Sequence, residues 1–161
     1  MSEGITPGAL DRLRVAIEDE HGLLSWLGTT LKRVEQGRVV LSVPFDEKLT
    51  NATEPPTVHG GVAATLADTA GALAIRSTFD DPETGRMATI TLNINYLEPA
   101  HGELRATAET VRVGGSVGVS EIRITAGDDS QLVGTAQGSY RLYRDDRPSE
   151  FQLERSRCEE L

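Results

Sequence analysis

The sequence predicts one α+β domain in which a long central helix is wrapped by a curved antiparallel sheet of about six strands. Residues 58–77 read VHGGVAATLADTAGALAIRS and are apolar or small on every side of a helical wheel, as in a helix that lies inside a fold. Six stretches with the alternating polarity of strands surround this segment. One of them, residues 132–143, has Gly and Ala on its apolar face, which would let the helix approach the sheet closely.

The N-terminal part, residues 1–22, is predicted to contain a further helix. Thr6 and Pro7 supply an N-cap and a first-turn proline, and His21-Gly22 ends the pattern. The apolar residues that recur at helical spacing between them are Leu10, Leu13 and Ile17.

The first two strands are predicted at residues 23–33 and 39–45. The second strand alternates apolar and more polar residues, and turn residues at 35–37 indicate that the two strands form a hairpin. A polar loop with two consecutive prolines, residues 46–57, then leads into the central helix.

Four further strands follow a loop at residues 79–85. They are predicted at residues 89–97, 103–113, 117–125 and 132–143. Because the connections between them are short, we expect consecutive strands to be antiparallel neighbours in the sheet. Residues 145–161 form a charged tail, and the whole chain, residues 1–161, is interpreted as a single domain.

The composition argues against several classes of function. The formal net charge of −9 and the isoelectric point near 4.8 disfavour binding to nucleic acid or to an anionic membrane. The single Cys158 lies in the tail and the N-terminus lacks the features of a signal peptide, so we expect a cytoplasmic protein. The central helix is too short and too rich in Ala and Gly for a membrane span. The three His residues and Cys158 match no recognised zinc spacing, so no metal is expected.

The central helix offers chemistry at two points along its length. His59-Gly60-Gly61 stand where the helix begins, so backbone N–H groups without helical partners can be approached closely by another group. The positive end of the helix dipole lies at the same place. Asp68 follows two turns later and is the sole carboxylate in the apolar segment. A carboxylate there must be paired, be hydrogen-bonded or lie in a functional cleft.

These residues, in this order, resemble the hotdog fold and, within it, the PaaI-type acyl-CoA thioesterases. The resemblance runs from about residue 41 to residue 143. Its most specific part is VHGGVAATLADTAGALA, followed by TLNINYLEPA and GELRATAETVRVGGSVGVSEI. The resemblance implies hydrolysis of an acyl-CoA thioester to a carboxylic acid and free CoA, with no cofactor.

The resemblance also implies a homo-oligomer, either a dimer or a dimer of dimers. Two protomers would join through residues 87–97 into one continuous sheet, and pantetheine would enter between them. Each active site would combine the helix start of one chain with the helix carboxylate of the other. The regular, one-sidedly apolar pattern of this strand favours such an assembly, because an exposed edge of this kind is prone to pair.

On this sequence, the resemblance implies a role for each candidate residue. The Gly60 N–H would hold the thioester oxygen, and Asp68 would act as general base for water or as a nucleophile. His59 would organise the loop and the surroundings of the leaving sulfur, while Thr89 would help to hold the water. The expected substrate-binding residues are Gly61, Thr65 and Asn51.

Two positions depart from the family pattern. The family usually has Asn or Gln six residues before the His, where this chain has Thr53. Asn51 is the alternative, since the prolines that follow could absorb a longer loop, and we take it as the candidate. Strict alternation places Thr89 with Thr91, away from the apolar face, so a bulge or its place at the start of the strand must turn it inward.

Residues 114–118 match G-x-S-x-G, the nucleophile elbow of serine hydrolases. That motif needs a helix after it and a later His, whereas here a strand pattern follows and no His occurs after His101. We therefore interpret the segment as a hairpin turn.

Two alternatives to a thioesterase remain: a non-catalytic acyl-CoA-binding module on the same scaffold, and an acyl-thioester hydratase or dehydratase.

Overall fold

The computed structural model describes residues 7–79, 85–128 and 130–143. The helical elements are α1 (Pro7–Val15), a π-helical turn that continues it (Ala16–Glu20), α2 (Gly22–Trp26), a 3-10 turn (Glu47–Leu49) and α3 (Gly60–Arg76). The strands are β1 (Thr30–Glu35), β2 (Arg38–Val43), β3 (Arg86–Tyr96), β4 (Leu104–Val113), β5 (Val117–Ala126) and β6 (Gln131–Tyr143). The predicted tail at 145–161 and most of the loop predicted at 79–85 lie outside the described residues.

The six strands form one antiparallel sheet in the order β1-β2-β4-β5-β6-β3, and α3 packs against it. The N-terminal helix is present as well, with Ile17 buried in the core and Leu10 and Leu13 packed against it. The predicted architecture of a long central helix, a six-stranded antiparallel sheet and an N-terminal helix is therefore confirmed.

The prediction of residues 23–33 as one strand is wrong in its first half. Residues 22–26 form α2, because the His21 ring accepts a hydrogen bond from the Leu24 N–H at 3.3 Å and caps the helix. Gly28, with φ of +71°, then reverses the chain before β1 begins at Thr30.

The expectation that consecutive strands are neighbours fails for β3 and β4. β3 pairs with β6 at one edge of the sheet, whereas β4 pairs with β2 and β5. The connection between them runs past the start of α3 instead of turning tightly, and the Ala100 carbonyl accepts a hydrogen bond from the Val58 N–H at 2.9 Å. A short loop therefore joins strands that lie apart in the sheet.

The G-x-S-x-G segment is a hairpin turn, as interpreted from the sequence. It connects β4 to β5, which pair with each other in antiparallel fashion. The Gly114 N–H donates to the Val117 carbonyl at 2.8 Å and closes the turn.

A bulge in β3 changes which side chains face α3. Thr89 lies opposite Tyr140 of β6 and Thr91 lies opposite Ser139, so Ile90 is the extra residue. The bulge thereby turns Thr89 towards the helix, as expected if this residue belongs to the site. Ile90, predicted on the apolar face, is instead 53% exposed.

Gly138 of β6 serves a different purpose from the one predicted for the small residues of this strand. A Cβ on Gly138 would lie 2.2 Å from the Tyr140 hydroxyl, so this glycine makes room for a buried phenol of its own strand. Close approach between helix and sheet depends instead on Gly71 of α3, where a Cβ would lie 2.3 Å from the Tyr140 hydroxyl and 2.6 Å from Ser120 Oγ.

Helix α3 is not buried on every side within one chain, contrary to the sequence interpretation. Its buried face packs on the sheet, while Gly61 is exposed and a neighbouring stripe is half-buried. The half-buried members of this stripe are Gly60, Ala64, Thr65, Asp68, Thr69 and Ala72. No helix in the described part of the chain combines the length and hydropathy needed to cross a membrane.

We predict that Gly71→Ala destabilises the fold, because the new methyl group overlaps two buried hydroxyl oxygens. Overpacking of this kind typically costs about 1–3 kcal/mol. Chemical denaturation should show a lower free energy of unfolding for this variant. Gly115→Ala is the control, since nothing lies within 4 Å of its new Cβ. Equal stabilities for the two variants would contradict the close approach described here.

Candidate active site

The start of α3 presents one backbone donor without a protein partner. His59 caps the helix: its Nδ1 accepts from the Gly61 N–H at 2.9 Å, and its carbonyl accepts from the Val62 N–H at 2.9 Å. Among the described residues no acceptor is found for the Gly60 N–H. The N-terminal end of the helix therefore leaves Gly60 as a donor at the positive end of the dipole.

Tyr96, at the end of β3, covers this glycine. Its hydroxyl donates to the Gly60 carbonyl at 2.8 Å, and a Cβ on Gly60 would lie 3.1 Å from the ring. A side chain at position 60 would require the Tyr96 ring to move by a few tenths of an ångström. Tyr96 belongs to the strand motif TLNINYLEPA, but the residue pattern alone does not indicate its contact with Gly60.

A cleft of about 470 Å³ opens beside Gly60. Its floor and walls are mostly apolar and come from α3, β5, β6 and the segment after β3, including Ala63, Ile124 and Val133. The candidates Asn51 and Thr53 both line it. An elongated apolar group with a polar head at the Gly60 end would match this distribution.

The loop that carries Asn51 and Thr53 is organised by Thr57. Asn51 donates from Nδ2 to Thr57 Oγ1 at 3.2 Å, and Thr53 Oγ1 accepts from the Thr57 N–H at 3.2 Å. Both side chains are exposed and both reach the cleft, so the choice between them remains a prediction.

Asp68 and Thr89 meet, as the resemblance implied. Thr89 Oγ1 donates to Asp68 Oδ1 at 2.9 Å, and Asp68 is half-buried. Of the two carboxylate oxygens, Oδ2 has no protein donor among the described residues. One oxygen is thus held by the sheet, while the other can face a ligand or water.

A second hydroxyl reaches the same turn of the helix from inside the fold. Tyr140, which has no exposed surface, donates from its hydroxyl to the Asp68 backbone carbonyl at 3.1 Å. Burial raises the pKa of Tyr140 to about 12, and the Asp68 charge adds to this effect while the Ser120 hydroxyl opposes it. The phenol is therefore a permanent donor at neutral pH. The alternation of residues 132–143 places Tyr140 on the apolar face of its strand but does not indicate a contact with Asp68.

The remaining candidate, Thr65, lies between the two groups on the half-buried stripe. Its hydroxyl donates to the Gly61 carbonyl at 2.9 Å, one turn back along the helix. A role of Thr65 and Gly61 in substrate binding stays a prediction.

One chain does not bring its own helix start and carboxylate together. Gly60 and Asp68 are eight residues apart in one straight helix, which corresponds to about 12 Å along the axis. A donor to a carbonyl oxygen and a group acting on the same carbonyl carbon must both lie within about 3 Å of the reacting atoms. The two halves cannot serve one carbonyl within a single protomer.

The chain and its fold have counterparts among known proteins. A family model described as the thioesterase superfamily matches residues 56–133, which span the helix start, Asp68, Thr89 and the strands down to β6. A Halobacterium salinarum protein that bears the name "Putative esterase" is 48% identical over 134 residues, which are 80% of this chain and 89% of the relative. The "Medium/long-chain acyl-CoA thioesterase YigI" of Escherichia coli is 29% identical over 128 residues, which are 72% of this chain and 82% of that protein.

A solved structure shows the same architecture. The crystal structure of a thioesterase from Haemophilus influenzae matches with a TM-score of 0.76 at 20% identity, over 90% of this chain and 99% of that one. At this level of identity the likeness concerns the fold alone. Together with the similarity over most of the Halobacterium relative, these matches show that the chain belongs to the thioesterase superfamily, whose fold is the hotdog fold.

We predict that the folded protein loses stability at alkaline pH because of the buried Tyr140. The pKa of Tyr140 in the folded state lies above the ordinary value of 10.0. The contribution of this group to the free energy of unfolding is therefore fully present below pH 10 and is lost as the pH rises towards 12. The free energy of unfolding, measured by denaturant titration between pH 9 and pH 12, should fall more steeply for wild type than for Tyr140→Phe. Parallel curves would show that the phenol is not held as described.

Proposed function

We propose that this protein is an acyl-CoA thioesterase that releases a carboxylic acid and free CoA. The observation that carries the proposal concerns two groups on one helix. The Gly60 N–H at the helix start has no acceptor within the described part of the chain, and Asp68 further along is held by Thr89. The first is a donor suited to a developing oxyanion, and the second is a proton acceptor or nucleophile. The relatives named as esterase and acyl-CoA thioesterase support hydrolysis of this bond class.

The active site is proposed to form between two protomers. Because Gly60 and Asp68 of one chain are about 12 Å apart along the helix, a second copy must supply the missing half. The half-buried stripe of α3 supports this arrangement, since it carries both residues and is incompletely covered in one chain.

The edge strand β3 supports the same assembly. It is eleven residues long, its one neighbour among the described strands is β6, and Thr89 lies on it beside Asp68. A long edge without a covering element tends to pair with a second strand. Pairing of β3 with its copy would continue the sheet through a dimer and place one protomer's Asp68 near its partner's helix start. A dimer of dimers would repeat this unit.

The proposed reaction uses water and no cofactor. In the general-base form, Asp68 takes a proton from a water molecule whose oxygen attacks the thioester carbon, and the negative charge on the carbonyl oxygen is held by the Gly60 N–H of the other chain. The C–S bond then breaks, and the sulfur leaves as the CoA thiol after taking up a proton. In the nucleophilic form, Asp68 attacks the carbon itself, the C–S bond breaks and the CoA thiolate leaves and takes up a proton. Water then hydrolyses the resulting anhydride to the carboxylic acid and regenerates the Asp68 carboxylate.

The neighbouring side chains have supporting roles in this proposal. His59 uses Nδ1 to hold the Gly61 N–H, so a neutral ring carries its proton on Nε2, where it can meet the leaving sulfur. Thr89 orients the carboxylate through Oδ1. Asn51, at the cleft, is proposed to assist in polarising the carbonyl, and the apolar cleft walls would hold an elongated part of the substrate.

We predict that Asp68→Asn lowers turnover strongly, to a small but measurable rate, while acyl-CoA binding is retained. The amide is nearly isosteric and can keep the Thr89 contact through its oxygen, so folding should change little. It cannot take a proton or attack a thioester, and a positioned general base contributes about 10²–10⁴-fold in rate. Free-thiol release across a panel of acyl-CoA esters, together with calorimetric binding, measures both properties.

Asp128→Asn is the matched control, because Asp128 is an exposed residue of the turn before β6 and far along the chain from the site. It should hydrolyse at the wild-type rate. A wild-type protein that binds acyl-CoA esters and hydrolyses none of the panel would be a binding module. Full activity of Asp68→Asn would remove this residue from the mechanism.

A further inference from the structure

Tyr140 connects the sheet to the turn of α3 that carries Asp68. It is the largest of the fully buried side chains and lies directly opposite Thr89 in the β3–β6 pairing. Its hydroxyl donates to the Asp68 carbonyl at 3.1 Å, while Thr89 donates to the Asp68 carboxylate at 2.9 Å. One cross-strand pair thus holds both the backbone and the side chain of the same aspartate.

The surroundings of Tyr140 are shaped to admit this contact. Its ring folds over Gly138 of its own strand and its hydroxyl reaches beside Gly71 of α3, and neither position has room for a Cβ. The Asp68 carbonyl belongs to a helical residue, so the phenol adds a second donor that the helix itself does not require. Helix stability alone therefore does not account for the contact.

The position of the contact relative to the bulge is informative. The bulge residue Ile90 directly follows Thr89 and shifts the pairing of β3 with β6 by one residue. Thr89 and Tyr140 are therefore the last directly opposed pair before this shift, and both side chains face α3. Further along β3 the inward side chains of Leu92 and Ile94 are apolar and pack against the core, until the Tyr96 hydroxyl reaches Gly60 at the start of α3. At the turn of α3 that carries Asp68, the hydroxyl groups of the β3–β6 ladder come from the Thr89–Tyr140 pair.

We propose that Tyr140 is a positioning residue for catalysis: its hydroxyl fixes the height and rotation of α3 at Asp68, so that the carboxylate held by Thr89 meets the thioester bound at the partner's helix start. This inference rests on the proposed function. A reacting group that is displaced by about 1 Å can lose roughly 10² in rate. Tyr140 touches no reacting atom and acts only through Asp68.

The test is Tyr140→Phe, which keeps the ring and removes the hydroxyl. We expect kcat to fall about tenfold or more with KM unchanged, since positioning affects the chemical step and not the binding of CoA. Tyr143→Phe is the matched control: it makes the same change on the same strand at an exposed residue, and should leave kcat at the wild-type value. Assays are run well below the melting temperatures of all variants.

A double-mutant cycle separates positioning from a general structural effect. In the Asp68→Asn background, Tyr140→Phe should lower kcat no further, because the group that it positions has been removed. An equal fall in both backgrounds, an unchanged kcat in the single variant, or a rise in KM alone would overturn the inference. If Tyr140→Phe does not fold, Gly138→Ala, whose Cβ displaces the hydroxyl, is tested by the same cycle.

Failure of this inference can be told apart from failure of the proposed function. If wild type hydrolyses acyl-CoA and Tyr140→Phe does so equally well, the inference alone is wrong. If wild type hydrolyses no ester of the panel, the proposed function is wrong and the inference falls with it.

Discussion

The contact between the β3–β6 ladder and one turn of α3 is the interaction on which the candidate site depends. Thr89 and Tyr140 face each other across this ladder and donate to the carboxylate and the carbonyl of Asp68. The contact requires the bulge after Thr89, and it requires glycine at position 71, where any side chain would strike the phenol. Local backbone irregularity and the absence of side chains thus serve the placement of one carboxylate.

The geometry of a straight helix sets the second constraint. The donor at Gly60 and the carboxylate at Asp68 are held about 12 Å apart along one axis, and no rotamer of Asp68 closes that distance. A second chain resolves this constraint in the proposed mechanism, because a symmetric pair of helices offers each start to the other's carboxylate. Within residues 7–79, 85–128 and 130–143, one stripe of α3 is incompletely covered and one edge of β3 is unpaired, and both support such a pairing.

The local features of the site could be predicted from the sequence, whereas its long-range contacts could not. The sequence pattern of His59, Gly60 and Asp68 indicates a helix start followed by a buried carboxylate, and the misplaced Thr89 indicates a bulge. Tyr140 contacts a residue 72 positions away, across a strand pairing that loop lengths do not reveal. A short loop limits where the next strand begins but not which strand it joins, so loop length wrongly predicts β3 beside β4. The segment after His21 begins as a helix because a ring nitrogen caps it, a contact that the residue pattern does not reveal.

The central claim, a composite site between protomers, is tested most directly by complementation. Gly60→Pro removes the N–H donor at a first helical position, where proline is tolerated, and the other chain carries Asp68→Asn. Each variant alone should be inactive. Dimers refolded from an equal mixture should regain about a quarter of the wild-type activity, because half of the dimers are mixed and each of these has one intact site. If mixed dimers are shown to form and the mixture is still as inactive as each variant alone, the account is contradicted.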